Sequence, residues 1–215
     1  MLTDPGRSAA EKETGRIEAF SDGVFAIAIT LLILEIKVPE VPKTATDSRE
    51  LLRGLWDNLW PSYVAFFTSF ITIGIMWINH HRLFRYIRRV DHGLLIFNLL
   101  LLLTITFVPF PTEVLAKYLI NDKPGVANLA AMLYSGTGLC IAIAFNLLWR
   151  HIAYWGRLMS ADTPPGFVDN ITRSYLFGPT FYLVALGAAT FNAYLSFGIT
   201  MALALFFALP SREMR

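Results

Sequence analysis

The chain has 215 residues, of which 55% are hydrophobic and 16% charged, with a formal net charge of +2. Soluble domains carry about 25% charged residues. Here the charges cluster between long apolar runs, and a water-soluble core cannot absorb helices that are apolar on every side. A net charge this small does not point to nucleic acid. Cys140 is the only cysteine, so no intrachain disulfide can form.

The N-terminal segment is polar and mixed in charge, and no A-x-A-like site follows the first apolar run. That run therefore reads as retained. It extends from Gly23 to Leu34. A helix of about 12 residues covers about 18 Å against about 30 Å of hydrocarbon. To cross, it must carry Ser21 and Asp22 at one end, and Glu35 at the other, toward the membrane. Later uncharged stretches run from Asn58 to Asn79, Gly93 to Thr112, Pro124 to Trp149, and Ser174 to Ser211. The last is about twice the length one span needs, and Asn192, with Gly187 and Gly198 near it, is the expected turn.

The reading is an all-α membrane protein forming a single domain over residues 1–215. Its six spans lie near 17–37, 58–79, 93–115, 124–149, 174–191 and 193–210. The segments from Glu40 to Asp57 and from Ser160 to Asn170 read as Pro-containing connectors. With the N-terminus inside, the inner segments hold Arg7, Lys12, Arg16, Arg82, Arg85, Arg88, Arg89, Arg150, Arg157, Arg173, Arg212 and Arg215. The outer loops hold Lys37, Lys43, Arg49, Arg53, Lys117 and Lys123. Twelve basic residues against six place both termini in the cytoplasm. The five tryptophans fall near expected helix ends, as an interfacial belt would have them.

Enzyme signatures are absent: there is no G-x-S-x-G, H-E-x-x-H or Walker motif. His80 and His81 are adjacent, so their rings point to different sides of a helix, whereas metal ligands on one helix usually sit at i and i+4. No metal site is expected. A TVGYG filter is also missing, since Thr72-Ile73-Gly74 lacks the second glycine and reads as helix-packing sequence.

The first helix carries the most information. At about 100° per residue, Gly23, Ile27, Thr30, Leu31 and Leu34 share about 100° of arc, and Asp22 points about 140° from Ile27. A carboxylate at membrane depth normally faces protein or water. Asp22 reads as a polar clamp between helices, with an ion or proton relay as the functional alternative. Partners are expected among Trp77, His80, His81 and Asn98 at neighbouring helix ends. Arg16 is off-register for a same-helix pair with Asp22, and a contact across subunits is easier. The Thr30 hydroxyl can bond its own helix at i−4.

Arg16 followed by Phe20-Ser21-Asp22 is similar to the R-x-x-x-F-S-D signature of the transmembrane protein 175 family. The likeness continues through Gly23-Val24-Phe25-Ala26-Ile27 and Thr30-Leu31-Leu32, the Trp77…His80-His81…Phe84 run, and Phe107-x-Pro109-Phe110-Pro111. It covers about the first half of the chain; the second half matches in length and span count.

The resemblance implies a six-span subunit of a bacterial inner-membrane homotetramer, with a pore lined by four first helices and potassium preferred over sodium. Carried over by position, Ile27 is the constriction, Leu31 and Leu34 line the pore further out, and Thr30 contributes to selectivity. Arg16, Phe20, Ser21 and Asp22, with Trp77, His80, His81 and Asn98, form a structural network. The resemblance implies no cofactor; potassium is the permeant ion and the lipid bilayer the surrounding partner. Two competing readings remain. One is a proton- or ion-coupled secondary transporter with Asp22 and His81 as a relay, although carriers usually show repeats with broken helices. The other is a membrane enzyme or assembly factor with a cytoplasmic His/Arg site.

Overall fold

The computed structural model describes residues 5–37, 59–120, 123–160 and 166–208, together with 49, 52, 56 and 163. The expected connector from Glu40 to Asp57 and the terminal Arg212 and Arg215 lie mostly or wholly outside these residues. In chain order the helices are α1 (Pro5–Leu31), α2 (Trp60–Phe84), α3 (His92–Thr106), α4 (Pro109–Tyr118), α5 (Pro124–Arg150), α6 (Phe167–Ala189) and α7 (Ala193–Ala208). A 3₁₀ turn, Leu32–Glu35, extends α1, and a wide π turn, His151–Trp155, ends α5. Among the described residues, four stretches are long and apolar enough to cross a membrane: Glu13–Glu35, Trp60–Phe84, His92–Tyr118 and Pro124–Trp155.

The third stretch is broken, which the hydropathy reading missed. Pro109 has no N–H to donate and its ring crowds the preceding turn, so α3 stops at Thr106 and α4 restarts with Pro109 at its first position. The expected turn residue Asn192 lies between α6 and α7, and its Oδ1 accepts from Leu195 N–H at 3.0 Å. Asn128 of α5 pins this turn from across the bundle, donating to the Thr190 carbonyl at 3.2 Å and accepting from Ala193 N–H at 3.0 Å.

Helix α6 begins at Phe167, earlier than the apolar run suggested, and carries Pro179 inside it. That proline leaves the Tyr175 carbonyl, four residues back, without its helical donor. Asn146 Nδ2 on α5 donates to this carbonyl at 2.7 Å. A neighbouring helix thus satisfies the freed group, as a membrane interior requires.

Helix α5 is the hub and packs against α3, α4, α6 and α7, while α1 packs on α2 and α3. Its Gly138 faces Tyr182 of α6 so closely that an added Cβ would lie 2.3 Å from the ring, the close approach that small residues permit between membrane helices. One core cluster joins Phe25 and Ala28 of α1, and Leu32 of the 3₁₀ turn, to Ile73, Leu94, Leu101, Ile105 and Leu148. Trp149 belongs to it: this residue is 1% exposed and does not sit in an interfacial belt. Its indole donates to Thr172 at 2.9 Å, which a buried N–H requires. By contrast Leu99, Leu103, Leu129 and Leu183 are exposed, as hydrocarbon allows.

Candidate functional site: the two faces of the first helix

Helix α1 divides its residues by face. Thr14, Ser21, Phe25, Ala28 and Leu32 are buried, at the three- and four-residue spacings of one helical stripe. Arg16, Phe20, Gly23, Ile27, Thr30, Leu31 and Leu34 are exposed on the other side. Ile27 is 58% exposed and Leu34 63%, although both are large and apolar. The Thr30 hydroxyl donates to the Ile27 carbonyl at 2.9 Å, at i−3 and not the expected i−4. Beyond Leu31 the helix tightens into the 3₁₀ turn, where residues three apart eclipse. Leu34 therefore stacks over Leu31, and the stripe from Ile27 to Leu34 rises about 12 Å.

The buried face carries a polar relay across three helices. His80 Nε2 lies 2.9 Å from Asn98 Oδ1. Because an amide oxygen only accepts, the histidine proton sits on Nε2. Asn98 Nδ2 donates in turn to Ser21 Oγ at 2.9 Å, and Ser21 donates to the Ile17 carbonyl at 2.9 Å. The hydrogen bonds run in one direction from α2 through α3 to α1. His80 and Ser21 are fully buried and Asn98 nearly so. The His80 ring stacks on Phe84 at 4.3 Å, and its Nδ1 has no hydrogen-bond partner among the described residues.

A second row joins α1 to α2 nearer the surface. The Trp77 indole donates to Asp22 Oδ1 at 2.8 Å. One turn along each helix, His81 Nδ1 lies 2.7 Å from Glu18 Oε1. The two atoms are within ion-pair distance, with a charge on the ring only when it is protonated, and Oε1 accepts no hydrogen bond from the described residues.

Ser21, Asp22, Trp77, His80 and Asn98 are thus brought together by direct hydrogen bonds, and His81 joins them through Glu18. Arg16 and Phe20 are not part of this intrachain network. Phe20 is 57% exposed and Arg16 lies on the same uncovered stripe, pairing with no described residue. Asp22 and His81, the pair of the relay reading, each have a different partner.

Sequence reasoning missed Glu18. The signal was present: Glu18 and Asp22 are four apart, as are Trp77 and His81, so two antiparallel helices can match them pairwise. It also missed the buried hydroxyl cluster in which Ser69 meets Thr112 at 2.8 Å and Tyr134 at 2.9 Å. Thr72-Ile73-Gly74 lies within α2, and the Thr72 hydroxyl returns to the Thr68 carbonyl. No group of three metal-ligating side chains gathers among the described residues.

Fold and site define an all-helical membrane protein in which one face of the first helix is locked into the subunit and the other is left uncovered. The family model described as endosomal/lysosomal potassium channel TMEM175 matches residues 16–109. A potassium channel of Chamaesiphon minutus is 51% identical over 203 residues, covering 94% of this chain and 96% of its own length. A potassium channel of Streptomyces collinus is 42% identical over 211 residues, covering 94% and 97%. The crystal structure of a lysosomal potassium-selective channel TMEM175 homolog from Chamaesiphon minutus superposes with a TM-score of 0.80 at 50% identity, over 92% of this chain and 97% of the other. The chain belongs to the TMEM175 family.

Proposed function

We propose that the protein is a potassium channel, modestly selective over sodium, in which four copies place the uncovered stripe of α1 around a central pore. The observation that carries this is the exposure of Ile27, Thr30, Leu31 and Leu34 on a helix whose opposite face is fully packed. Exposed aliphatic side chains can face hydrocarbon, as those of Leu99 and Leu103 do, but this stripe also carries Arg16, Gly23 and Thr30, which suits a pore better than lipid. Around an axis they form an apolar constriction at Ile27 that gates by excluding water. The relatives named as potassium channels match along nearly the whole chain.

In this reading the subunit crosses the bacterial inner membrane six times, with both termini cytoplasmic. The twelve-to-six distribution of basic residues supports that orientation. The pairing of the α2–α3 and α5–α6 connections, both counted as inner, supports their lying on one and the same side: Arg88 N–H donates to the Leu158 carbonyl at 2.9 Å, and Ser160 N–H to the Tyr86 carbonyl at 2.8 Å. The His80–Asn98–Ser21 chain and the Asp22–Trp77 bond hold α1 in register, so that four stripes can meet. The carrier alternative is weaker, because Asp22 and His81 are not each other's partners.

Purified protein in planar bilayers tests the proposal. Ohmic unitary currents with a reversal potential nearer that of potassium than of sodium are expected. Potassium flux without unitary currents would overturn the channel reading in favour of a carrier.

A further inference from the structure

Away from α1, a cleft of ≈ 280 Å³ opens between the C-terminal end of α5, the π turn and the first turns of α6. Arg150, Tyr154 and Trp155 line one side, and Thr172 and Leu176 the other. The wall is fixed by a three-way hydrogen-bond node. Thr172 Oγ1 donates to the Val168 carbonyl at 2.7 Å. With its one proton used, it accepts from Trp149 Nε1 at 2.9 Å and from the Tyr154 hydroxyl at 3.1 Å.

Arg150 stands at the rim of this wall. It is exposed, and no described carboxylate pairs with it. Among the described residues no acidic side chain lines the cleft; Asp169, the acidic residue in the first turn of α6, lies outside it. A guanidinium presents a fork of N–H donors that fits phosphate in two-point fashion. Trp155 and Tyr154 beside it are 57% and 48% exposed, amphipathic rings of the kind that sit at headgroup level. On the same two helices the surface then turns apolar: Leu176, Phe177 and Ile143 are all exposed. A free anion has no use for an apolar flank, whereas a lipid has acyl chains to lay along it.

We propose that this cleft binds one anionic phospholipid, with the headgroup phosphate on Arg150, its glycerol region against Trp155 and Tyr154, and its chains along Leu176 and Ile143. In the orientation proposed above the site faces the leaflet where basic pockets between membrane helices hold anionic headgroups.

Lipid retention by the purified full-length protein, read by native mass spectrometry after adding phosphatidylglycerol or phosphatidylcholine, tests this independently of any current. Phosphatidylglycerol should be retained in preference to phosphatidylcholine. Arg150→Gln should lower its retention about fivefold, the effect of one arginine at an anionic surface. Arg150→Lys should restore part of the loss. Arg85→Gln removes the same charge from an exposed arginine outside the cleft and should bind as the wild type does. Undiminished retention in Arg150→Gln, or an equal loss in Arg85→Gln, would overturn the site. Displacement of the lipid by millimolar inorganic phosphate would show a free-anion site and overturn the lipid assignment.

Discussion

The Trp77 indole N–H donates to Asp22 Oδ1 at 2.8 Å, and one helical turn away His81 Nδ1 meets Glu18 Oε1 at 2.7 Å. Helices α1 and α2 run antiparallel, so two i,i+4 pairs match one another like teeth. A shift of either helix by one residue breaks both contacts together, which makes this row a register device for the helix that presents Ile27 and Thr30.

Asp22→Ala is expected to weaken folding and assembly more than selectivity. The partner is a neutral indole and not a buried cation, so the cost is that of one unpaired donor, about 1–3 kcal/mol. Trp77 is 40% exposed, which puts the loss toward the lower end. Asp22→Asn keeps an acceptor oxygen and should be milder. Size-exclusion profiles and melting curves in detergent measure both. An alanine variant that stays fully assembled with altered ion preference would assign Asp22 to ion handling instead.

The stripe predicts opposite phenotypes at neighbouring positions. A ring of isoleucines has no group to replace an ion's hydration shell and opposes permeation when narrow. Ile27→Asn should raise cation current and reduce discrimination between potassium and sodium. Thr30→Val keeps the shape and removes a hydroxyl that bonds only its own helix. It should reduce potassium preference and leave assembly intact. Reversal potentials under bi-ionic conditions read both variants, and unchanged conductance and reversal potential in the pair would remove α1 from the pore.

The charge distribution predicts that reporter fusions after Lys43 and after Lys123 face outward and that both termini face the cytoplasm. Accessibility labelling in intact cells is the check. A cytoplasmic signal at either lysine breaks the six-span topology.

Asp91 supplies the pH prediction. It caps α3 by accepting from Leu94 N–H at 2.7 Å, and His151 Nε2 lies 2.8 Å from the same oxygen. Burial opposes its ionisation, but the Leu94 N–H and the His151 ring outweigh it and hold the carboxyl below its ordinary 3.8. A group whose folded pKa is depressed stabilises the fold above its unfolded value, and that contribution is lost as pH falls through the folded one. Below pH 3.8 the wild type should therefore lose thermal stability more steeply than Asp91→Asn, which keeps an acceptor and does not titrate. Tryptophan-fluorescence melts of both across that window decide it, and parallel curves would exclude Asp91 from the acid response.

The helical membrane class, the grouping of Gly23, Ile27, Thr30, Leu31 and Leu34 on one arc, and the family signature were all legible in the residues. Hydropathy and helical period are local properties, fixed by neighbours three and four positions away. The interruption at Pro109 was also written there, but a hydropathy window averages over one missing N–H. What the tertiary structure alone decided is which arc of α1 is covered. Arcs are defined by sequence, whereas burial depends on where α2 and α3 lie. The same holds for every long-range polar pair. Ser21 could have bonded any of several side chains, and it meets Asn98, 77 residues away, because α3 brings an amide to that depth. Asn146 finds the carbonyl that Pro179 leaves free only because α5 and α6 cross there. Such pairs follow from the packing of whole helices: a buried polar group must be satisfied, but that rule does not say by which residue.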